Sequence, residues 1–418
     1  MNLGIEKLNF YGGAACINVI DLANHRKLDI QRFENLLMEE KTVPLPIEDT
    51  VSFGVNAAKP ILDQMSEAQI NEIELLITCT ESGIDFSKSV STYIHKYLGL
   101  KNNCRMFEIK NACYSGVAGL QVALDFVRAS HNKNVKALVI ASDIARFMAE
   151  EKDGNLTMGG EYAEPSSGAG AVAALVSNHA KVFRVDIGAN GYYGMEVCDT
   201  CRPVPDSEVG NADLSLLTYL DCCENSYKEY CKRVEGVDYK ETFDYLSFHT
   251  PFAGMVKGAH RSMMRKFTGM RGRDEIETDF IERVTPGLNY CKRVGNIMGA
   301  TALLSLLSTI DQADFTSTVR IGCFSYGSGC CSEFFSGVSD PEAKSELRKM
   351  EVKKRLRERY HLSMNEYDEL LKTNVQIKFG TRNIQFDISS YVNRYQLNHS
   401  KLLFLESIND FHRIYKWV

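Results

Sequence analysis

Two segments that lie far apart in the chain share one layout, and this repetition narrows the folds that the chain can adopt. In the first segment, Asn111-Ala112-Cys113 opens a helix rich in small and apolar residues, and a strand-like run follows at residues 135–141. In the second, Gly295-Asn296 opens a similar helix that ends near Ile310, and residues 319–324 form the next strand-like run. A buried helix that leads into a core strand in each half predicts an internal duplication.

Further apolar runs at residues 73–78 and 171–176 alternate with helical segments along the chain. Strands that are apolar at nearly every position are typical of sheets covered on both faces. At 418 residues the chain also exceeds the usual size of one domain. We therefore expect an α/β fold made of two pseudo-repeated halves, residues 1–180 and 181–418. We also expect one solvated helix in the densely charged region 341–359.

The composition argues against several classes of function. A formal net charge of −6 disfavours general nucleic-acid binding, which needs a basic surface. No apolar run reaches the roughly 18 residues that span a membrane, and the N-terminus lacks the pattern of a signal peptide. We therefore expect a cytoplasmic protein whose 13 cysteines are mostly reduced. Cys198 and Cys201 form a C-x-x-C without a second ligand pair at zinc-finger spacing, so we expect no metal. No Gly-rich phosphate loop follows a predicted strand, so we expect no nucleotide cofactor either.

One cysteine stands out because of its position on a predicted strand-to-helix turn. Cys113 lies where the free N–H groups and the dipole of a helix N-terminus favour a thiolate. For a lone cysteine, a small buried packing residue is the commoner alternative. A nucleophile also needs a base, an acid and an oxyanion site, and the rest of the chain offers candidates for each.

Four other sites share a placement at strand ends or helix starts. Each has an ordinary structural alternative: a helix cap or ion pair, a core histidine, an N-cap, or a simple turn. Their common placement is where α/β folds usually build sites, and it favours one shared site. The residues are Glu81 within Thr80-Glu81-Ser82-Gly83-Ile84-Asp85, His249 within Phe248-His249-Thr250-Pro251-Phe252, Asn296, and the turn Gly327-Ser328-Gly329.

These motifs resemble those of the 3-hydroxy-3-methylglutaryl-CoA (HMG-CoA) synthase family, a branch of the thiolase superfamily. The N-terminal run at residues 4–13 and the run at residues 53–60 are similar to the bacterial members that install β-methyl branches in polyketides. The resemblance covers most of the chain, and it implies a thiolase-like fold with layered α-β-α-β-α architecture and a homodimer. Its motifs are Thr80-Glu81-Ser82-Gly83-Ile84-Asp85, Asn111-Ala112-Cys113-Tyr114, Ala141-Ser142-Asp143-Ile144-Ala145-Arg146, His249-Thr250-Pro251-Phe252 and Gly295-Asn296.

The resemblance also implies a role for each residue. Cys113 takes an acetyl group from a donor thioester, and Glu81 removes a proton from the acetyl methyl group. Fixed N–H donors, from Cys113 and from the Gly327-Ser328-Gly329 turn, would stabilise the enolate. The enolate adds to the β-ketone of a second acyl thioester, His249 donates a proton to the resulting alkoxide, and Asn296 positions the acceptor carbonyl. Water then hydrolyses the cysteine thioester and releases a 3-hydroxy-3-carboxymethyl acyl product.

Glu81 separates this reaction from that of related ketoacyl synthases, which form their carbanion by decarboxylation and need no carboxylate base. The preferred reading is an enzyme that condenses an acetyl-acyl carrier protein with a β-ketoacyl-acyl carrier protein in polyketide biosynthesis. One alternative is the primary-metabolism enzyme that uses acetyl-CoA and acetoacetyl-CoA. Another is a non-catalytic thiolase-like subunit that only holds carrier proteins.

Recognition of the substrates rests on weaker patterns. The resemblance implies substrate contacts by Asn296, Gly327, Ser328, Pro251 and Phe147, although many relatives carry a tyrosine where this chain has Phe147. At Gly254, CoA-using relatives often carry a basic residue. A basic stripe, defined by one helical face and its neighbours, could dock an acidic carrier protein and its phosphopantetheine phosphate, or could be an ordinary solvated face. The stripe consists of Lys257, His260, Arg261, Arg265 and Lys266.

Overall fold

The computed structural model describes residues 2–145, 163–205, 207–374, 376–397 and 401–418. Its strands occur throughout this part of the chain, and two of the long ones, residues 136–144 and 169–177, are buried at every position. They are β1 (Gly4–Tyr11), β2 (Ala15–Asn18), β3 (Glu40–Val43), β4 (Ile73–Cys79), β5 (Arg105–Ile109), β6 (Lys136–Ile144), β7 (Ala169–Ser177), β8 (Phe183–Gly194), β9 (Thr200–Val204), β10 (Ser207–Gly210), β11 (Tyr245–Phe248), β12 (Val319–Gly327), β13 (Cys331–Ser339), β14 (Tyr360–His361), β15 (Ile384–Gln385), β16 (Leu403–Asn409) and β17 (His412–Trp417).

The helices connect these strands, and several begin at side-chain caps such as Asp49, which receives two backbone N–H groups at the start of the third helix. A π-helical turn (Phe280–Val284) and a 3₁₀ turn (Met298–Ala300) precede two of them. The α-helices are α1 (Val19–Arg26), α2 (Ile30–Glu34), α3 (Thr50–Leu62), α4 (Glu67–Ile70), α5 (Val90–Leu98), α6 (Ser115–Ala129), α7 (Ala212–Arg233), α8 (Ala253–Phe267), α9 (Arg273–Asp279), α10 (Thr285–Val294), α11 (Thr301–Gln312), α12 (Glu342–Arg348), α13 (Val352–Arg357), α14 (Met364–Asn374) and α15 (Ile388–Arg394).

The main sheet shows the internal duplication in its strand pairing. Its order is β11-β12-β13-β8-β1-β7-β6-β4-β5. From β1 through β7 and β6 to β4, the successive pairs are antiparallel, antiparallel and parallel. From β8 through β13 and β12 to β11, the same sequence of pairings recurs. The two sets join where β1 pairs with β8, and the division of the chain near residue 180, between β7 and β8, stays a prediction.

The packing of the helices confirms the layered architecture. Helix α3 packs on β1, β6 and β7, and helix α7 packs on β8 and β13. Between the two sets of strands, α6 packs on β4 and β6 and also contacts α11, which packs on β11 and β12. The layers therefore run α3, first-half strands, α6 with α11, second-half strands, α7. Strands covered on both faces explain the continuous apolar runs in the sequence.

The two central helices begin later than the sequence predicts, and both follow a left-handed residue. Helix α6 begins two residues after Cys113, and α11 begins after the 3₁₀ turn. Ala112 has a φ of 43° and Met298 a φ of 48°. A non-glycine residue in this conformation costs about 1–2 kcal/mol. The turns before α6 and α11 thus share a strained geometry that sequence periodicity does not reveal.

The starts of these two helices touch each other through glycines. A Cβ atom on Gly116 would lie 2.0 Å from the carbonyl oxygen of Gly299, and a Cβ atom on Gly299 would lie 2.2 Å from Oγ of Ser115. A larger residue at Gly116 would have to move backbone, and one at Gly299 would have to displace the hydroxyl of Ser115. The contact therefore brings the turn that carries Cys113 against the segment that follows Asn296.

The prediction of one solvated helix in the charged region 341–359 is wrong. The region forms two short helices, α12 and α13, separated at Glu351, which has a φ of 50°. Leu347 and Leu356 are buried, and Arg359 is also buried because it donates to Glu40 and to a backbone carbonyl. The high charge density of this region therefore did not indicate an exposed helix. In the described part of the chain, no helix is long and apolar enough to cross a lipid bilayer.

Candidate active site

The structure places Cys113 beside Glu81. Sγ of Cys113 lies 4.0 Å from Oε1 of Glu81, and both side chains are half-buried. Glu81 follows β4, Cys113 follows β5, and these strands are parallel neighbours whose carboxyl ends coincide. The backbone N–H of Thr80 donates to the carbonyl of Ile109 at 3.1 Å, which ties the two strand ends together. The predicted nucleophile and base therefore lie within reach of one small acyl group.

A buried carboxylate holds the turn that carries Glu81. Oδ1 of Asp143 accepts from Thr80 Oγ1 and Glu81 N at 2.9 Å and from Ser82 N at 3.0 Å. Oδ2 of the same residue accepts from Gly299 N at 3.1 Å, across the junction of the two halves. Burial raises the pKa of Asp143, and the donated hydrogen bonds oppose that rise. The sequence placed Asp143 in a motif but predicted no role for it.

A second contact on Glu81 comes from β9. Nη1 of Arg202 donates to the carbonyl oxygen of Glu81 at 2.9 Å. The carbonyl and the N–H of Glu81 are therefore both held, the first by this guanidinium and the second by Asp143. Sequence analysis did not find Arg202, because only the tertiary fold brings β9 to this turn.

His249 lies at the end of β11, on the other side of β12 from the cysteine turn. Its backbone N–H donates to Phe324 at 2.7 Å, and its carbonyl accepts the hydroxyl of Tyr219 at 2.6 Å. The imidazole ring is 6.4 Å from the ring of Tyr326. The next residue, Gly327, is packed so closely that a Cβ atom there would lie 2.7 Å from N of Tyr114. The end of β12 thus contacts both parts of the site: Tyr326 lies beside the imidazole ring, and Gly327 packs against the cysteine turn.

Burial determines the protonation state of His249. The side chain is 1% exposed, and burial lowers its pKa to about 3. Within the described residues, Nδ1 has no hydrogen-bond partner. The ring is therefore neutral at physiological pH, and it can act on a carbonyl oxygen through a neutral N–H group instead of an imidazolium.

Asn296 is fixed by its own backbone and by its carboxamide oxygen. The backbone N–H donates to Ser166 at 2.6 Å. Oδ1 accepts from Met298 N and from Thr301 Oγ1, each at 3.0 Å. Because the oxygen is occupied, the NH₂ end is the part of this side chain that can donate to an acceptor carbonyl.

The turn after β12 offers fewer N–H donors than the sequence suggests. The N–H of Gly329 donates to Oδ1 of Asp199 at 2.9 Å, and the hydroxyl of Tyr326 also bonds Asp199. Gly327 belongs to the β12–β13 ladder, where it pairs with Cys331. Ser328, which is half-buried, therefore remains the candidate in this turn for an oxyanion donor.

The basic stripe is only partly a surface feature, and the prediction for His260 is wrong. This residue is 0% exposed, and its Nε2 lies 2.9 Å from Oδ1 of Asp279. The spacing of the stripe indicated one helical face, but α8 turns the histidine towards the core with Met263 and Met264. His260 can therefore take no part in docking a partner.

The remaining members of the stripe differ in their partners. Nζ of Lys257 lies 2.5 Å from Oε1 of Glu277, and Lys266 pairs with Glu224. For the two arginines of the stripe, the described part of the chain provides no ion-pair partner. Pro251 is half-buried just before α8. Phe147 lies outside the described residues.

One group of side chains has the chemistry of a metal site. Cys16, Glu40 and His361 bring ligand atoms within 4.8 Å of one another. Glu40, however, already accepts from Arg359 Nη2 at 2.7 Å and from Arg293 Nε at 3.1 Å. Two guanidinium charges beside the only carboxylate disfavour a cation. Burial also raises the pKa of the Cys16 thiol to about 11, which disfavours the thiolate that a metal would need.

We predict that Asp143→Asn impairs the chemical step while the fold survives. An amide has only one acceptor oxygen, so its NH₂ group must face one of the N–H donors that the carboxylate now receives. Leaving such a buried donor unpaired lowers the rate of product formation from an acetyl and a β-ketoacyl thioester about 10- to 100-fold. Asp85→Asn, at an exposed carboxylate that accepts two N–H groups of the same loop, is the control and keeps the full rate. A normal rate for Asp143→Asn would contradict the positioning of Glu81.

Comparisons with known proteins agree with this geometry. The family model "Hydroxymethylglutaryl-coenzyme A synthase N terminal" matches residues 1–181, and the corresponding C-terminal model matches residues 275–417. The chain is 58% identical to the polyketide biosynthesis 3-hydroxy-3-methylglutaryl-ACP synthase PksG of Bacillus subtilis (strain 168), with 100% of both chains covered. It is 32% identical to the hydroxymethylglutaryl-CoA synthase of Enterococcus faecalis, over 94% of this chain and 100% of that one.

Solved structures are similar over the whole chain. The HMG synthase of the curacin biosynthetic pathway in complex with apo donor-ACP superposes with a TM-score of 0.95 at 57% identity, and 100% of each chain is covered. MvaS in complex with 3-hydroxy-3-methylglutaryl coenzyme A superposes with a TM-score of 0.84 at 26% identity, over 100% of this chain and 99% of that chain. The chain belongs to the hydroxymethylglutaryl-coenzyme A synthase family.

Proposed function

We propose that this protein condenses an acetyl group from a donor acyl carrier protein with a β-ketoacyl group on an acceptor acyl carrier protein. The product is a 3-hydroxy-3-carboxymethyl acyl chain, the precursor of a β-branch in a polyketide. The observation that carries the proposal is the 4.0 Å contact between Sγ of Cys113 and Oε1 of Glu81. A thiol nucleophile beside a carboxylate base is what acetyl transfer followed by enolate formation requires.

The first half of the reaction centres on Cys113 and Glu81, which the first half of the chain supplies. The thiolate of Cys113 attacks the donor thioester carbonyl, and the carrier arm leaves as a thiolate that takes up the proton that Cys113 had released to solvent. Glu81 then takes a proton from the methyl group of the bound acetyl thioester. The enolate oxygen is stabilised by the N–H of Cys113 and by that of Ser328. Asp143 and Arg202 hold Glu81 in position throughout.

The second half of the reaction uses residues of the second half of the chain. The enolate carbon adds to the acceptor β-ketone, whose oxygen receives hydrogen bonds from the NH₂ of Asn296 and from the neutral imidazole of His249. The alkoxide that forms takes the N–H proton of the neutral His249, and the ring regains a proton, through water, from the carboxyl group of Glu81. Water finally hydrolyses the thioester to Cys113, which frees the carboxylate of the product and the thiol of the enzyme.

The choice of a carrier protein over CoA is supported by Gly254. A Cβ atom at this position would lie 2.0 Å from the carbonyl oxygen of Asn35, so the basic residue of CoA-using relatives has no room here. The N–H of Gly254 also donates to Leu36 at 3.0 Å, which holds the two segments together. The relative with 58% identity is an HMG-ACP synthase, and the similar curacin enzyme was crystallised with a donor-ACP.

A labelling experiment tests the proposed function. With radiolabelled acetyl-carrier protein, the wild-type protein and Glu81→Ala should both acquire covalent label at Cys113, because the base acts only after acetyl transfer. The variant should then condense about 100-fold more slowly or worse. Glu358→Ala, which removes an exposed carboxylate on the protein surface, is the control and should behave as wild type.

The same experiment separates the alternatives. Label from acetyl-CoA but not from the acetyl-carrier protein would favour the primary-metabolism enzyme. Label from neither donor would favour a non-catalytic subunit. Undiminished condensation by Glu81→Ala would remove the base from the mechanism.

We further propose that Arg261 and Arg265, the stripe's arginines, contact the acidic surface of a carrier protein. Arg261→Glu/Arg265→Glu should weaken binding of the donor carrier protein at least about 10-fold at low salt, and the defect should shrink as salt screens the charges. Lys353→Glu/Lys354→Glu, which makes the same change of charge on α13, is the control. Equal affinities for the two double variants, measured by fluorescence titration, would refute this docking surface.

We also propose a homodimer. Strand β5 is the last strand of the main sheet, where it pairs only with β4 among the described residues, and its side chains are half-buried or exposed. An open edge of this kind can pair with the same strand of a second copy. Light scattering should give about twice the chain mass at micromolar concentration. A single-chain mass under these conditions would contradict the proposal.

The state of the cysteines bears on where the protein works. We propose a cytoplasmic location, which is supported by the cysteines: all 13 are free thiols. We propose no cofactor beyond the phosphopantetheine arm that carries each substrate, because each proton transfer and each oxyanion is assigned to a group of this chain.

A further inference from the structure

One buried carboxylate near the site is unused by the mechanism above. Glu333 lies in β13, where it pairs with Ser325 of β12 on one side and with Tyr192 of β8 on the other. Its side chain is 0% exposed. A carboxylate in the middle of a covered sheet is costly to bury unless it accepts hydrogen bonds. The residues that donate these bonds therefore indicate the role of Glu333.

The strongest partner of Glu333 is the residue that follows the nucleophile. The hydroxyl of Tyr114 donates to Oε2 of Glu333 at 2.7 Å, and Nδ2 of Asn190 donates to Oε1 at 3.2 Å. Burial raises the pKa of Glu333 to about 7 in spite of these two bonds; the charge of Arg233 lowers it and that of Asp125 raises it. The bond therefore joins the second-half sheet to the first turn of α6.

Tyr114 is also the residue that closes the strained cysteine turn. Its backbone N–H donates to the carbonyl of Asn111 at 3.1 Å, so that the turn encloses Ala112, which is left-handed, and Cys113. Tyr114 gives α6 no side-chain cap. A strained turn persists only where its surroundings hold it, and the phenol is the side chain next to Cys113 that is anchored outside the turn.

We propose that Glu333 is a positioning residue for the nucleophile: by accepting the hydroxyl of Tyr114, it fixes the turn that aims Cys113 at the donor thioester. This rests on the proposed function, in which Cys113 is acetylated. The two halves of the chain would then be joined at the site by two carboxylates, Asp143 at the base and Glu333 at the nucleophile.

The chain contains a matched pair for comparison. The hydroxyl of Tyr290, a buried tyrosine, bonds the carboxylate of Asp311. That pair joins α10 to the C-terminal end of α11, at the opposite end of α11 from the turn. Tyr290→Phe therefore removes the same kind of bond without touching the cysteine turn.

The test measures the rate of acetylation of Cys113 by mass spectrometry in single turnovers with excess acetyl-carrier protein. Tyr114→Phe and Glu333→Leu should each slow acetylation about 10-fold or more. Their affinity for the carrier protein should stay within about 2-fold of wild type, since the docking surface is unchanged. Glu333→Gln, which keeps an acceptor oxygen, should restore most of the rate, and Tyr290→Phe should acetylate at the wild-type rate.

Coupling between the two residues completes the test. If Glu333 acts only through Tyr114, the double variant Tyr114→Phe/Glu333→Leu should acetylate no more slowly than the slower single variant. Additive losses would overturn the proposal, and so would a normal rate for folded Glu333→Leu or for Tyr114→Phe. Failure of the wild-type protein to acetylate at all would instead refute the proposed function. Circular dichroism verifies the fold of each variant, and Tyr114→Phe, which breaks the same bond from its other end, keeps the test decisive if Glu333→Leu does not fold.

Discussion

The arrangement of the site depends on the burial of one charge, the carboxylate of Asp143. It can be buried because four donors converge on its two oxygens. Three of these donors belong to the turn around Glu81, and the fourth, the N–H of Gly299, belongs to the other half of the chain. All four donors reach this carboxylate only when both halves of the chain are folded together. The position of Glu81, the proposed base, therefore depends on the whole fold. The contact between Gly116 and Gly299 then sets how closely the halves approach.

The duplication also explains how a repeated architecture yields an asymmetric site. Each central helix follows a left-handed residue, Ala112 in one half and Met298 in the other. In the first half the next residue is Cys113, the proposed nucleophile. In the second half it is Gly299, whose N–H and carbonyl are used in the contact between the halves. The turn in the first half thus carries a proposed site residue, whereas the turn in the second half serves packing. The second half contributes Asn296, which lies just before its turn.

The sequence predicts the central strands and the meeting of Cys113 with Glu81 because both depend on local patterns. Continuous apolar runs mark buried strands, and parallel strands bring their carboxyl ends to one edge of the sheet. The stripe is wrong for His260 because it was defined by charge alone: helical spacing puts this residue with Val256 and Met263, on the apolar face of α8 that packs inward. Local patterns do not show which distant groups meet. The partners Asp143, Arg202 and Glu333 act through contacts between segments far apart in the chain, and only the folded structure identifies them.

The close approach of Gly254 to Asn35 has a consequence for how the enzyme could change its donor. A lineage that gained a cationic side chain at Gly254 alone would force the α2 segment away from α8 and lose the hydrogen bond to Leu36. The substitution becomes tolerable only after the backbone near Asn35 has shifted. A cationic side chain at this position therefore needs a second change, in the backbone that follows α2, before it can be accommodated.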